Sequence, residues 1–113
     1  MTQRVLQTGE LPVIALEATM AFHSEHAEEA RRLIATKCTS LVIILPPAAH
    51  DHVDWRRAAA RDLARLAAPT RVNLVAGDDR ATLDAAIAFL AAAPGITGQY
   101  LPLGGHSTED ASG

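Results

Sequence analysis

Five histidines are the most reactive side chains in this sequence: His23, His26, His50, His52 and His106. Imidazole nitrogen suits zinc, copper, nickel or iron. His23-x-x-His26 would offer two such nitrogens from one helical turn, and Asp51, Asp78 and Asp79 add carboxylates nearby in the pattern. The competing reading makes all of these exposed loop and cap residues in a region that is polar in any case, and the spacing favours it. The remaining chemistry is sparse. There is one tyrosine, Tyr100, one lysine, Lys37, and one cysteine, Cys38. A single cysteine excludes an internal disulfide and a cysteine-based zinc site. Cys38 falls at a predicted helix C-terminus, where no dipole lowers its pKa, so a buried, inert thiol is expected.

These residues must be positioned by elements the sequence also predicts. Pro12 to Leu16 is a short apolar run that suits a strand buried on both faces. Met1 to Leu11 reads as an arm or short strand. Ser24 is a candidate cap for a following helix, with Glu25, Glu28 and Glu29 near its positive end. Ala27, Ala30, Ile34 and Cys38 recur at helical spacing. Ser40 to Leu45 is the strongest strand, five aliphatic residues closed by Pro46-Pro47. A helix follows from about Trp55 to Ala68, capped by Asp54. Trp55, Ala59, Leu63 and Leu66 form its apolar stripe, and Arg57, Arg61 and Arg65 form a solvated one with Asp62 pairing Arg65. Arg71 to Ala76 reads as a third strand ending at Gly77. Asp78 or Asp79 caps a helix to about Ala93 that has no polar side chain from Ala85 onward. A helix apolar all round is covered on more than one side. Gly98 to Leu103 is a last strand, confined to an edge by Pro102.

Strands alternating with helices, in the order βαβαβαβ, predict an α/β domain with an open parallel sheet of about four strands and right-handed crossovers. On this reading the histidines follow strand ends and gather at the carboxyl edge, where open α/β sheets bind ligands. One domain spans 1–113, with 107–113 as a flexible tail. Hydrophobic residues make up 49% of the chain and its formal charge is −3, which argues against disorder and against a nucleic-acid partner. No apolar run approaches the roughly 18 residues of a membrane helix. Neither a signal peptide nor a membrane partner is expected, and a cytoplasmic location follows.

Several segments resemble the short-chain dehydrogenase/reductase family. Arg71-Val72-Asn73-Leu74-Val75-Ala76-Gly77 is similar to its "RVN-x-V-x-PG" strand, with alanine for the proline. Ile96-Thr97-Gly98-Gln99 is similar to its "ITGQ" turn, and Leu103-Gly104-Gly105-His106 to its "DGG" ending. Leu83 to Leu90 resembles its following helix, Asp62 to Arg65 its "LAREL" helix, and Ser40 to Leu45 the strand leading to its catalytic serine. The good match covers about residues 60 to 107. The resemblance implies a Rossmann-like fold, two or three layers deep, corresponding to the last four of seven strands.

The resemblance also implies what is missing. The family binds NAD(P) on a glycine-rich turn, and the segment Glu17 to His23 contains no glycine. Its general acid is a tyrosine followed four residues later by a lysine. Ala48 to Trp55, where that pair falls, has neither. Pro46-Pro47 stands where the serine is expected. The expected function is therefore a catalytically degenerate relative without a cofactor, acting through a homodimer or with a full-length reductase. The interface is expected at Ile87, Phe89, Leu90, Tyr100 and Leu101, an arrangement the resemblance favours. The alternative is a small-molecule- or metal-binding protein, even an enzyme, using the histidine-rich edge.

Overall fold

The computed structural model describes residues 2–103. It has one sheet of four parallel strands in the order β1-β2-β3-β4: Gln3–Gln7, Ser40–Leu45, Arg71–Ala76 and Tyr100–Pro102. β2 and β3 match their expected bounds. β2 is buried along its whole length, because a central parallel strand is covered on both faces. β4 is the edge that Pro102 implied. His106, Gly104-Gly105 and the expected tail lie outside the described residues.

The start of the chain differs from the expectation. The short strand offered for Met1 to Leu11 is present as Gln3–Gln7 and is the first of the sheet, but Pro12 to Leu16 is no strand and runs through a loop into the helix α1, Ala15–Ala21. Val13 and Leu16 are 88% and 70% exposed, so the apolar run is not a core strand. A five-residue apolar run does not distinguish a strand from a first helical turn. β1 reads as polar because it is an edge. Leu6 packs on the core while Val5 remains half exposed.

Ser24 caps nothing. It lies inside a π-helical turn, Phe22–His26, that joins α1 to α2, Ala27–Ala35, in one continuous rod. Ala18, Phe22 and Ala30 are the residues this rod buries. They are spaced in multiples of four, which outruns the 3.6 residues of an α-helical turn. The wider π turn brings Ala30 back to the buried side.

Helices cover both faces, giving three layers. The π turn, α2 and α3 (Val53–Ala67) pack on the face that carries Leu41, Ile43, Leu45, Val72 and Leu74, and α1 lies against α3. α4 (Arg80–Ala91) packs through Leu83 and Leu90 on the opposite face, against Val42, Ile44 and Val75. The strands advance in one direction across the sheet, so the β3–α4–β4 crossover has the opposite hand to the two before it. This corrects the expectation of a uniform hand. Two strands apolar on both faces need helices on both, and that need overrides the usual preference.

α3 is turned slightly from its expected stripe. Its buried positions are Arg56, Ala59, Ala60, Leu63 and Ala67, and Leu66 is exposed. Its N-cap is His52, not Asp54, with no capping side chain. Arg57, Arg61 and Arg65 are exposed as expected, and Arg65 pairs with Asp62 at 2.5 Å.

Candidate functional site at the carboxyl edge

β2 ends at Pro46-Pro47, whose missing N–H groups stop the ladder and turn the chain outward. The loop to Ala49 leads into a 3₁₀ turn, His50–His52, and then directly into α3. β3 ends at Gly77. A Cβ there would meet Leu83 Cδ2 at 3.3 Å and Leu103 Cβ at 3.5 Å, so a larger residue would need the Leu83 side chain to give by a few tenths of an ångström. Asp79 then caps α4. Its Oδ2 accepts from the Thr82 hydroxyl at 2.6 Å and the Thr82 N–H at 2.9 Å, and these bonds hold its carboxyl below the ordinary range.

Among the described residues the histidines do not converge on one site. His23 and His26 lie midway along the α1–α2 rod, where His23 Nδ1 donates to the Thr19 carbonyl at 2.9 Å. His50 is exposed at the carboxyl edge. His52 is buried there and fully engaged. Its Nε2 donates to the Val13 carbonyl at 2.8 Å, and its Nδ1 accepts from Trp55 Nε1 at 3.1 Å. Those partners fix one neutral tautomer and leave no nitrogen for a metal. Among the described residues no three of His, Cys, Asp and Glu gather closely enough to hold an ion. Cys38 is buried, and its Sγ lies 3.6 Å from the Leu33 carbonyl.

The feature that sequence reasoning missed is Arg56. Its side chain is 1% exposed in the first turn of α3. Its guanidinium lies over the rings of Trp55 and Tyr100, 5.4 and 5.7 Å from their centroids. Nη1 donates to the Pro46 carbonyl at 2.8 Å and to the Tyr100 hydroxyl at 3.1 Å. Nε is buried with no partner. The signal was present: Ala59, Ala60, Leu63 and Ala67 set the buried stripe, and stepping back along it reaches position 56.

Tyr100 is thus half-buried on β4, opposite Leu74, and serves Arg56. Lys37 precedes β2 at the other end of the sheet, so the two do not form a catalytic pair. The loop after β1 also lacks the glycine-rich turn on which a dinucleotide pyrophosphate sits. Once β1 is placed at Gln3–Gln7, the loop after it is Thr8 to Ile14, and its one glycine is Gly9, at φ 75°. A pyrophosphate needs several backbone N–H groups in close approach. This loop offers the Glu10 carboxylate and Pro12, which has no N–H.

The segments that resemble a known family prove to be cross-links. Asn73, fully buried, donates through Nδ2 to the Ile96 carbonyl at 3.1 Å and accepts through Oδ1 from Gln99 N at 3.0 Å. Val72 N donates to Thr97 Oγ1 at 3.0 Å, and Gly98 N to the Val72 carbonyl at 2.7 Å. Arg71 Nη1 donates to the carbonyls of Leu90 and Ala93 at the end of α4, at 2.8 and 2.9 Å. The "RVN" strand therefore holds both the "ITGQ" turn and the last turn of α4.

Of the expected interface residues, Phe89 is 56% exposed, while Ile87, Tyr100 and Leu101 are partly buried against the core. Leu90 is fully buried inside the chain's own core. Ala85, Ala88, Phe89 and Ala92 are exposed at helical spacing and make one apolar stripe. A second exposed apolar set, Val13, Ile14, Leu16 and Met20, lies at the start of α1. None of the described helices is long and apolar enough to cross a membrane.

A family model described as SDR-like, short chain dehydrogenase-like protein, matches residues 6–103. No curated protein and no solved structure matches the chain.

Proposed function

The chain belongs to the SDR-like family of short chain dehydrogenase-like proteins, and from that premise we propose that it is a catalytically degenerate member that acts by association. Its own residues support this. The stretch 48–55 lacks the tyrosine and lysine of the family's proton relay, and the Tyr100 hydroxyl is hydrogen-bonded to Arg56. The observation that carries the reading is the set of large apolar side chains left outside: Phe89 on α4, and Val13, Ile14, Leu16 and Met20 around α1. Large apolar side chains left exposed on two separate faces mark candidate contact sites.

The homodimer contact is assigned to α4. Its stripe of alanines around Phe89 permits close approach of a second copy of the same helix. β4 is short and blunted by Pro102, so it contributes side chains and not strand pairing. A full-length reductase of the family is the alternative partner, and the α1 surface is available to it. We place the protein in the cytoplasm, where a lone buried Cys38 fits a reducing compartment.

Light scattering on the purified protein tests the proposal. The expected mass is twice 11.9 kDa. Phe89→Glu should return the chain to a monomer with an unchanged circular-dichroism spectrum, while Leu16→Glu should leave the dimer intact. A wild-type monomer at micromolar concentration would contradict association. A dimer lost only in Leu16→Glu would move the contact to α1.

A further inference from the structure

We propose that the cavity beside Arg56 binds a small organic monocarboxylate, with the Arg56 guanidinium as its anchor. This does not depend on the association reading. The cavity measures about 440 Å³ and opens at the carboxyl edge, between the loop after β1 and the loop after β2. Arg56 forms part of its wall, together with Leu11, Pro12, Val13, Pro47 and Ala49.

Arg56 carries an uncompensated charge. A buried ion is costly unless a counter-ion and hydrogen bonds replace its water. Arg56 is 1% exposed, yet among the described residues no carboxylate lies within 4 Å of its guanidinium. Its contacts are a carbonyl, a phenol and two aromatic rings, all neutral. A methionine or leucine would fill the same space without that cost.

The donors left over are the informative ones. Nη1 is used twice. Nε is buried with no partner, and among the described residues the guanidinium's hydrogen bonds are those of Nη1. Nε–H and Nη2–H point the same way from one edge of the planar guanidinium. That edge matches the two oxygens of a carboxylate in a bidentate pair. Nε is closed to solvent, so a carboxylate reaches that edge only as the cavity wall gives way; once seated, it satisfies the orphaned Nε and neutralises the buried charge.

The walls restrict the rest of the ligand. They are mostly aliphatic, which suits a short apolar body behind the carboxylate. Two ionisable groups besides Arg56 line the cavity. His52 has both nitrogens engaged, so it adds no charge. Glu10 is exposed at the mouth, and its carboxylate repels a second negative charge. Monoanions are therefore favoured over dicarboxylates and phosphate.

Calorimetric titration of the full chain tests this with four probes: isovalerate, its neutral amide, succinate and inorganic phosphate. Isovalerate should bind at one site per chain. The amide, of the same shape without the charge, should bind at least about tenfold more weakly. Arg56→Met should abolish binding. Arg56→Lys, which keeps the charge and loses the fork, should retain the fold and weaken binding by about tenfold or more. Glu10→Gln should strengthen succinate binding. No heat with isovalerate at millimolar concentration, an amide equal to the acid, or full affinity in the Lys variant would each overturn the proposal. Phosphate binding ahead of isovalerate would overturn the choice of a carboxylate.

Discussion

The "RVN" strand and the carboxyl edge handle buried polar groups in opposite ways. Around β3 the polar groups of Asn73, Thr97 and Arg71 meet backbone partners at 2.8 to 3.1 Å. At the carboxyl edge, a few residues away in space, Arg56 keeps a buried Nε with no partner. A satisfied network accounts for itself as packing. An unsatisfied buried cation does not, and function is better sought there. The contrast also bears on the family resemblance: the "RVN" and "ITGQ" motifs that match are ones that hold elements together.

That contrast can be broken by mutation. The largest effect is expected at Asn73. Asn73→Ala leaves the Ile96 carbonyl and Gln99 N–H unpaired, and should destabilise the fold by roughly 3 kcal/mol in urea unfolding. A change near zero would mean that the "ITGQ" turn is held by something else. Gly98→Ala comes next. Gly98 sits at φ 74°, and an added Cβ would lie 3.4 Å from Ala64 Cβ, so a loss of about 1–2 kcal/mol is expected. Arg56→Met should behave unlike either. Removing an unpaired buried charge offsets the two lost hydrogen bonds, and stability should stay within about 1 kcal/mol of wild type. A loss as large as that of Asn73→Ala would show that Arg56 belongs to the packing network after all.

The smallest effect is at Asp79, which is fully exposed. Its carboxyl is held below the ordinary 3.8 first by the Thr82 hydroxyl and then by the Thr82 N–H. A depressed pKa means that the charged cap favours the folded state at neutral pH. That contribution is lost as pH falls through the folded value. Asp79→Ala should therefore lower the melting temperature slightly at pH 7, and the gap to wild type should close in acid. A gap that persists in acid would point to a helix-end effect independent of charge.

Much of the frame was legible in the sequence because its signals are local. The aliphatic run at 40–45 and its two prolines fixed β2, and Arg71 to Gly77 fixed β3. Pro102 marked an edge strand, and Asp79 capped as expected. What failed depended on tertiary context. The run Pro12 to Leu16 looked buried and is exposed, while polar Gln3–Gln7 forms the strand, because an edge need not be apolar. Ser24 had the chemistry of a cap but sits inside a continuous rod. The hand of the last crossover is a property of the whole sheet, although the need for cover on both faces was written in β2 and β3. Arg56 was hidden among Trp55 and Arg57, and only the phase of the alanine stripe points it inward. The candidate site was accordingly less legible than the fold. The histidine cluster dissolves among the described residues, and Arg56, which replaces it, was not singled out by the sequence pattern.

Hydrogen exchange at two protein concentrations tests association through α4 most directly. The account predicts that amides of Arg80–Ala91 exchange more slowly in the concentrated sample, while those of residues 46–56 stay unchanged until a carboxylate is added. Exchange independent of concentration throughout α4, or slowing at 46–56 on addition of NADPH, would contradict it.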